Sequence, residues 1–195
     1  MTTRIVLLGP PGAGKGTQAA RLSETLNVEA ISTGDIFRAN IKGGTELGKL
    51  AQEFTAKGEL VPDYVTNDMV RDKLASKIDG DPQGLGFILD GYPRNLSQVA
   101  ALDGILADLG VTLDGAIEIT ADPDVVSERL LKRAEIEGRA DDTAEVIAHR
   151  LTVYAEQTAP ISAEYEGRGM LARADGMGTV DEVTALLIAG IESLR

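Results

Sequence analysis

Apolar positions along the chain fall into two alternating rhythms. Short runs of strand length occupy Arg4–Leu8, Glu29–Ser32, Gly86–Asp90, Ala116–Thr120 and Met170–Ala174. Longer stretches, with apolar residues three and four apart, separate them. Gly14–Leu26 predicts a helix directly after the first strand. Val99, Leu102, Ile105, Leu106 and Leu109 share one helical face, and Asn95 and Gln98 ahead of them have the spacing of a capping box. Asp122-Pro123 places a cap and then a proline in the first turn of another helix. Thr179 and Glu182 form a second box before Val183, Leu186, Leu187, Ile191 and Leu194. Strand–helix alternation of this kind predicts an α/β fold, a parallel five-stranded sheet covered by helices on both faces.

One region breaks the alternation. Residues 34–77 contain no strand pattern, only helical segments punctuated by Gly43-Gly44, Gly58 and Pro62, which predicts a helical insertion between the second and third strands. The stretch 79–84 reads as an ordinary loop, and no internal repeat occurs.

Composition narrows the function classes. The chain has 195 residues, 43% of them apolar, enough for one core domain spanning 1–195. Without cysteine there is no disulfide scaffold, thiolate metal site or thiol nucleophile. No apolar run approaches a membrane span, and the N-terminus lacks a signal-peptide layout, so a cytoplasmic protein is expected. The formal net charge of -12 argues against general nucleic-acid binding. Residues 1–100 carry 11 basic and 12 acidic side chains, whereas 101–195 carry 8 and 19, an excess expected on solvated helix faces.

The first strand runs into Gly9-Pro-Pro-Gly-Ala-Gly-Lys15-Gly-Thr17 and then a helix. Such a loop lets backbone N–H groups converge on phosphate oxygens, the helix N-terminus adds its dipole, and Lys15 supplies a point charge. Gly16 follows the lysine, so the hydroxyl comes one residue late, at Thr17. A rival reading takes Gly14, Gly16 and Ala19 as a dinucleotide fingerprint with Asp35 as its ribose ligand, but a lysine inside the turn is foreign to that pattern. Asp90 ends the third strand, where a carboxylate can hold Mg²⁺ through water.

A second set of residues looks built for another anion. Ser32-Thr-Gly-Asp-Ile-Phe-Arg38 follows the second strand and Asp90-Gly-Tyr-Pro-Arg94 the third. The carboxyl ends of parallel strands face one crevice, where these arginines can meet Lys15. With GPPGAGKGT, STGD-x-x-R, DGYPR and EGRADD in this order, the sequence resembles the adenylate kinase family over essentially its whole length.

The resemblance implies a three-layer fold of the P-loop NTPase type, with an AMP-binding helical insertion at 34–63 and a short lid connector at 133–139. It implies that Gly12, Ala13, Gly14, Lys15, Gly16 and Thr17 cradle ATP phosphates. Thr33, Arg38 and Arg94 would hold AMP, with Gly91, Tyr92 and Pro93 in the same site and Glu59, Leu60 and Val61 lining the adenine pocket. Gln98 matches a glutamine that binds the AMP base; its other reading is the reciprocal partner of Asn95, and one amide cannot serve both. Arg129 would stack on the ATP adenine, near the backbone of Gly178. Arg133, Arg139 and Arg150 would clamp phosphates, and Lys15, Arg94 and these three would be the catalytic set.

Chemistry fits that assignment, since guanidinium forks bind phosphate bidentately and phosphoryl transfer needs charge neutralised on both partners. Arg129 and Arg133 share a helix face, while Arg139 and Arg150 require a turn between them, with Asp141 or Asp142 capping the next helix. Any one of these arginines read alone is a surface ion pair worth under ~1 kcal/mol. The only histidine, His149, reads as a surface residue, because an ionised AMP phosphate needs no general base. The resemblance further implies Mg²⁺ with ATP, substrates ATP, AMP and ADP, a monomer, and no nucleic-acid or membrane partner; the short lid without cysteine implies no structural zinc. A UMP/CMP kinase is the nearest alternative, and Thr33 and Gln98 argue against it. A nucleotide switch module would leave the arginines unexplained.

Overall fold

The computed structural model describes residues 2–77, 82–137 and 143–194. Arg139, Asp141 and Asp142 therefore lie outside the described residues, as does much of the 79–84 loop.

Five parallel strands form one sheet in the order β2-β3-β1-β4-β5: β1 (Arg4–Leu8), β2 (Glu29–Ser32), β3 (Phe87–Asp90), β4 (Gly115–Thr120) and β5 (Leu171–Asp175). Register is fixed by pairs such as Val6 with Leu89 and Val6 with Ala116. Every residue of β1 and β3 is buried, as central strands covered on both faces must be. Side-chain alternation then divides β1. Ile5 and Leu7 pack with Ala19 and Leu22 of α1 (Lys15–Leu26) and with Val183, Leu187 and Ile191 of α9 (Val180–Ser193). Val6 and Leu8 point the other way. They pack with Val70 and Leu74 of α4 (Asp63–Ala75), Val99, Leu102 and Ile105 of α5 (Leu96–Asp108), and Ile161 of α8 (Pro160–Gly167). Burial of each such side chain contributes about 1.5–3 kcal/mol.

Between β2 and β3 the chain is helical. α2 (Thr33–Gly43) and α3 (Glu46–Thr55) enclose a small core of Phe37, Ala51 and Val61. After β4, α6 (Pro123–Glu137) packs Val126 and Leu130 against Ile147 of α7 (Ala144–Val153). Because α6 runs to Glu137, most of the 133–139 segment is the end of a helix. A π-helical turn at Tyr154–Thr158 joins α7 to α8.

The caps follow local chemistry, with two changes from expectation. Asp122 accepts from the Asp124 N–H at 2.9 Å, and Thr179 and Glu182 form their full box. α7 is capped by Thr143 rather than an aspartate: its extended backbone brings the hydroxyl to the Val146 N–H at 3.3 Å. Asn95 caps α5 through the Gln98 N–H at 2.8 Å, but the Gln98 side chain does not return the bond to Asn95. Among the described residues, no helix is long and apolar enough to cross a membrane.

Candidate active site

A cleft of about 770 Å³ opens at the carboxyl ends of the strands. Its floor is the loop after β1. Gly9 has φ +136°, and a Cβ there would stand 2.5 Å from the Ile119 carbonyl oxygen, so only glycine lets the loop cross the end of β4. Gly14, also left-handed, opens α1 without any side-chain cap, leaving the first N–H groups of that helix to an anion. Lys15 folds back over the loop and donates to the carbonyls of Gly9 at 2.8 Å and Pro10 at 3.0 Å. Burial pushes its ammonium down to about 8; Asp90 opposes that shift, while Arg94 and Arg133 add to it.

The second wall is assembled around one carbonyl. Gly91 O accepts from Thr33 Oγ1 at 2.8 Å and from Arg94 Nε at 2.8 Å, joining the start of α2 to the turn after β3. Ser32 caps α2 through the Asp35 N–H, and Asp35 in turn pairs with Arg38. Arg94 keeps solvent-accessible atoms, yet it stands deep in the concavity. Enclosure by protein lowers its affinity for a proton; Asp90 counters this, and Arg150 and Arg38 reinforce it. Crowded cations in a desolvated cleft are the electrostatic signature of a site that receives anions.

The remaining arginines come from the opposite side. Arg129 on α6 donates both terminal nitrogens to the Gly176 carbonyl at 3.3 Å, and Arg133 borders the cleft one turn later. Arg150 on α7 reaches the Thr55 carbonyl at 3.5 Å. Beside it Gly58, with φ +79°, rests against α7: a Cβ there would lie 3.1 Å from both the Val146 carbonyl oxygen and Arg150 Cγ. The helical insertion and α7 thus touch across the mouth of the cleft.

Gly12, Gly14, Lys15, Gly16, Thr17, Thr33, Arg38, Glu59, Leu60, Val61, Asp90, Gly91, Pro93, Arg94, Gln98, Arg129, Arg133 and Arg150 all border the cleft, so the sequence-derived set is largely brought together. Ala13, Tyr92 and Gly178 do not border it. Tyr92 is buried and donates its hydroxyl to Asn67 Oδ1 at 2.7 Å; Ala13 is buried under the loop; Gly178 is exposed at the entry to α9. His149 is exposed, as expected.

Residues the sequence reading did not select also contribute. Phe37 and Ile41 line the insertion side, and Thr158 in the π turn donates to the Arg94 carbonyl at 2.7 Å. Gln98 makes neither a full capping box nor an isolated contact. Its Oε1 accepts the Arg94 N–H at 2.8 Å and its Nε2 donates to Asp63 at 2.7 Å.

The site can accommodate a cation carried by phosphates. Asp90 Oδ2 would be 3.8 Å from a Cβ on Gly16, and Thr17 lines the same cleft. Among the described residues no cluster of three or more acidic or histidine side chains forms a metal cage. This donor set fits Mg²⁺ held mainly by substrate oxygens and water.

A sheet with β3 between β2 and β1, a phosphate loop leaving β1 and arginines on facing walls define a phosphate-loop nucleotide-binding protein. That strand order also separates it from the dinucleotide-binding fold, in which the second strand adjoins the first. Comparison with known proteins makes the class specific. The family model for adenylate kinase matches residues 7–170. The chain is 58% identical to an adenylate kinase of Kocuria rhizophila, over 97% of this chain and 99% of that protein. Those of Thermobifida fusca and Bifidobacterium longum are 54% and 52% identical, each over 97% of this chain and covering 98% and 100% of the relative. This chain belongs to the adenylate kinase family.

Proposed function

We propose that this chain catalyses the reversible, Mg²⁺-dependent transfer of the γ-phosphoryl group of ATP to AMP, giving two molecules of ADP. The observation that carries this reading is the convergence of Lys15, Arg94, Arg133 and Arg150 on one cleft between two anion-binding walls. A site for one nucleotide would not need the second wall. The phosphate loop from Gly12 to Thr17 would take the ATP phosphates, with Arg129 beside the adenine. Thr33, Arg38 and Arg94 would take the AMP phosphate, with Glu59, Leu60, Val61 and Gln98 around its base.

An oxygen of the AMP phosphate attacks the γ-phosphorus. The bond to the β–γ bridging oxygen breaks, and its electron pair leaves with ADP. The attacking oxygen is already ionised near neutral pH, so no side chain has to accept a proton. Lys15 and the arginines then act by alignment and by stabilising charge on the transferring group. When bound, Mg²⁺ neutralises phosphate charge, and Asp90 would hold it through water. Arg139, by family resemblance, would join Arg133 and Arg150 in clamping the phosphates. A monomeric, cytoplasmic enzyme without zinc accords with the same reading.

A coupled ADP-release assay with AMP, UMP, CMP and GMP as acceptors tests the proposal. AMP should be strongly preferred. Equal use of UMP would transfer the chain to the pyrimidine kinases, and no transfer to any acceptor would leave a binding module.

A further inference from the structure

Gln98 is 2% exposed yet borders the cleft, and two groups of fixed polarity hold its amide. The Arg94 backbone N–H can only donate, so the atom 2.8 Å away must be the Gln98 oxygen. An ionised Asp63 carboxylate can only accept, so the atom 2.7 Å away must be the Gln98 nitrogen. Asparagine and glutamine amides otherwise turn over readily, because oxygen and nitrogen are nearly the same size. Here a turned amide would set its NH₂ against an N–H and its oxygen against a carboxylate. Both contacts would be repulsive.

Asp63 is itself well anchored. It is the first residue of α4, where the helix dipole favours a carboxylate, and its Oδ1 also accepts from Asn95 Nδ2 at 3.0 Å. Among the described residues no cation lies within ion-pair distance of it. Asn95 in turn caps α5 through the Gln98 N–H, and the Gln98 carbonyl, at 3.2 Å, shares with Asn67 Oδ1 the single proton of the Tyr92 hydroxyl. The whole residue, backbone and side chain, is therefore pinned.

We propose that Asp63 is a positioning residue that sets base selectivity by locking the Gln98 amide in one of its two orientations. The inference rests on the proposed function in taking the base beside Gln98 to be that of the acceptor nucleotide. With one N–H given to Asp63 and one lone pair given to Arg94, the amide keeps one N–H and one lone pair to offer. That pairing matches a 6-aminopurine, whose ring nitrogen accepts and whose amino group donates. A 6-oxopurine presents a ring N–H and a carbonyl oxygen in the reverse order. It could bind only a turned amide. The lock thus discriminates AMP from IMP or GMP through a residue that need not touch the base. Specificity of this kind derives its strength from the buried groups a wrong ligand leaves unpaired.

Calorimetric titration of AMP and of IMP into the wild type, Asp63→Ala and Asp63→Asn proteins tests the inference. In Asp63→Ala one of the two constraints is gone, and the ratio of IMP to AMP dissociation constants should fall by about tenfold, the worth of one charge-assisted hydrogen bond. Asp63→Asn retains an oxygen that accepts from Gln98 and should keep the wild-type ratio to within about threefold. An unchanged ratio in Asp63→Ala overturns the proposal. So does an equal loss in both variants, which would make the negative charge, not the acceptor, decisive. Should Asp63→Ala fail to fold, judged by far-ultraviolet circular dichroism, Gln98→Ala and the asparagine variant decide. Gln98→Ala must lose the discrimination that Asp63→Asn retains. Initial rates with AMP are recorded alongside: a wild type that binds AMP over IMP but transfers no phosphoryl group contradicts the proposed function and leaves the amide lock standing.

Discussion

Thr33 and Arg94 share one acceptor: both donate to the Gly91 carbonyl at 2.8 Å, although 61 residues separate them in the chain. The start of α2 and the turn after β3 are joined by that oxygen, so the guanidinium is held at one end and presents its remaining N–H groups to the cleft. Arg94→Ala is expected to lower turnover by roughly 10²–10³ while leaving the melting temperature almost unchanged, since the arginine supports charge more than packing. Steady-state rates beside a melting curve measure both. Near-normal turnover would remove Arg94 from the catalytic set.

Lys15 gives a pH dependence with a definite sign. The unfolded chain keeps this lysine protonated to 10.5, the folded chain only to about 8. Between those values the unfolded state binds more protons, so the Lys15 contribution makes the nucleotide-free protein more stable as pH rises. Affinity for ATP moves the other way, because the neutral amine no longer attracts phosphate. From pH 7 to pH 9 ATP binding should weaken by up to about tenfold, and Lys15→Met should abolish that slope. Calorimetry at the two pH values checks it; an equally steep profile in the variant would assign the titration elsewhere.

Two buried tyrosines on the same side of the sheet offer a contrast. Tyr92 donates to Asn67 Oδ1 at 2.7 Å, whereas the buried Tyr165 hydroxyl has no hydrogen-bond partner among the described residues. Burial, then Asp103, pushes the Tyr165 hydroxyl upward, so it stays neutral. Tyr92→Phe should cost about 1–3 kcal/mol by stranding the asparagine oxygen, and Tyr165→Phe should cost nothing or stabilise by about 1 kcal/mol. The Arg168 guanidinium, 5.6 Å from the Tyr165 ring centre, keeps its aromatic partner in that variant. Urea unfolding midpoints decide; a clear loss in Tyr165→Phe would reveal an unrecognised acceptor.

Glu29 ties β2 to α4 through Lys73 at 3.0 Å and to the turn after α4 through Lys77 at 2.8 Å. Burial raises its carboxyl, but the hydrogen bonds from Lys77 and Lys73 outweigh that and leave it below the usual range. Its contribution is therefore present above the unfolded value of 4.5 and disappears as pH falls through the lower folded value. All three groups are partly solvated, so Glu29→Gln should cost under ~1 kcal/mol, and less at high salt. A larger loss that ignored salt would point to packing instead.

What the sequence made legible was local. Asp90 ends β3 and Arg94 closely follows it, while Lys15 opens the helix that the loop after β1 leads into, so neighbouring elements place all three. Strand limits shifted by a single residue, as at β5, which begins at Leu171 rather than Met170. Contacts between distant side chains were not legible. Thr158 meets Arg94 across 64 residues and Gln98 meets Asp63 across 35, and no periodicity encodes either. The Asn95–Gln98 spacing predicted a reciprocal box, but Asp63, a charged acceptor, captured the glutamine nitrogen and turned its oxygen to Arg94. At α7 the sequence pointed to Asp141 or Asp142, yet the cap is Thr143, whose extended backbone carries its hydroxyl to the Val146 N–H.

Gly58 has a consequence for the economy of the reaction. Its bare α-carbon lets the insertion lie directly on the Val146 carbonyl and the Arg150 stem. A protein that activates ATP must withhold the same phosphorus from solvent, which is a competing acceptor in vast excess. A methyl group on Gly58 would lie 3.1 Å from both neighbours on a left-handed backbone, so Gly58→Ala is expected to loosen this contact and to raise ATP hydrolysis without AMP, which a phosphate-release assay measures. The balance between phosphoryl transfer and wasteful ATP breakdown is thereby expected to respond to a single added carbon atom.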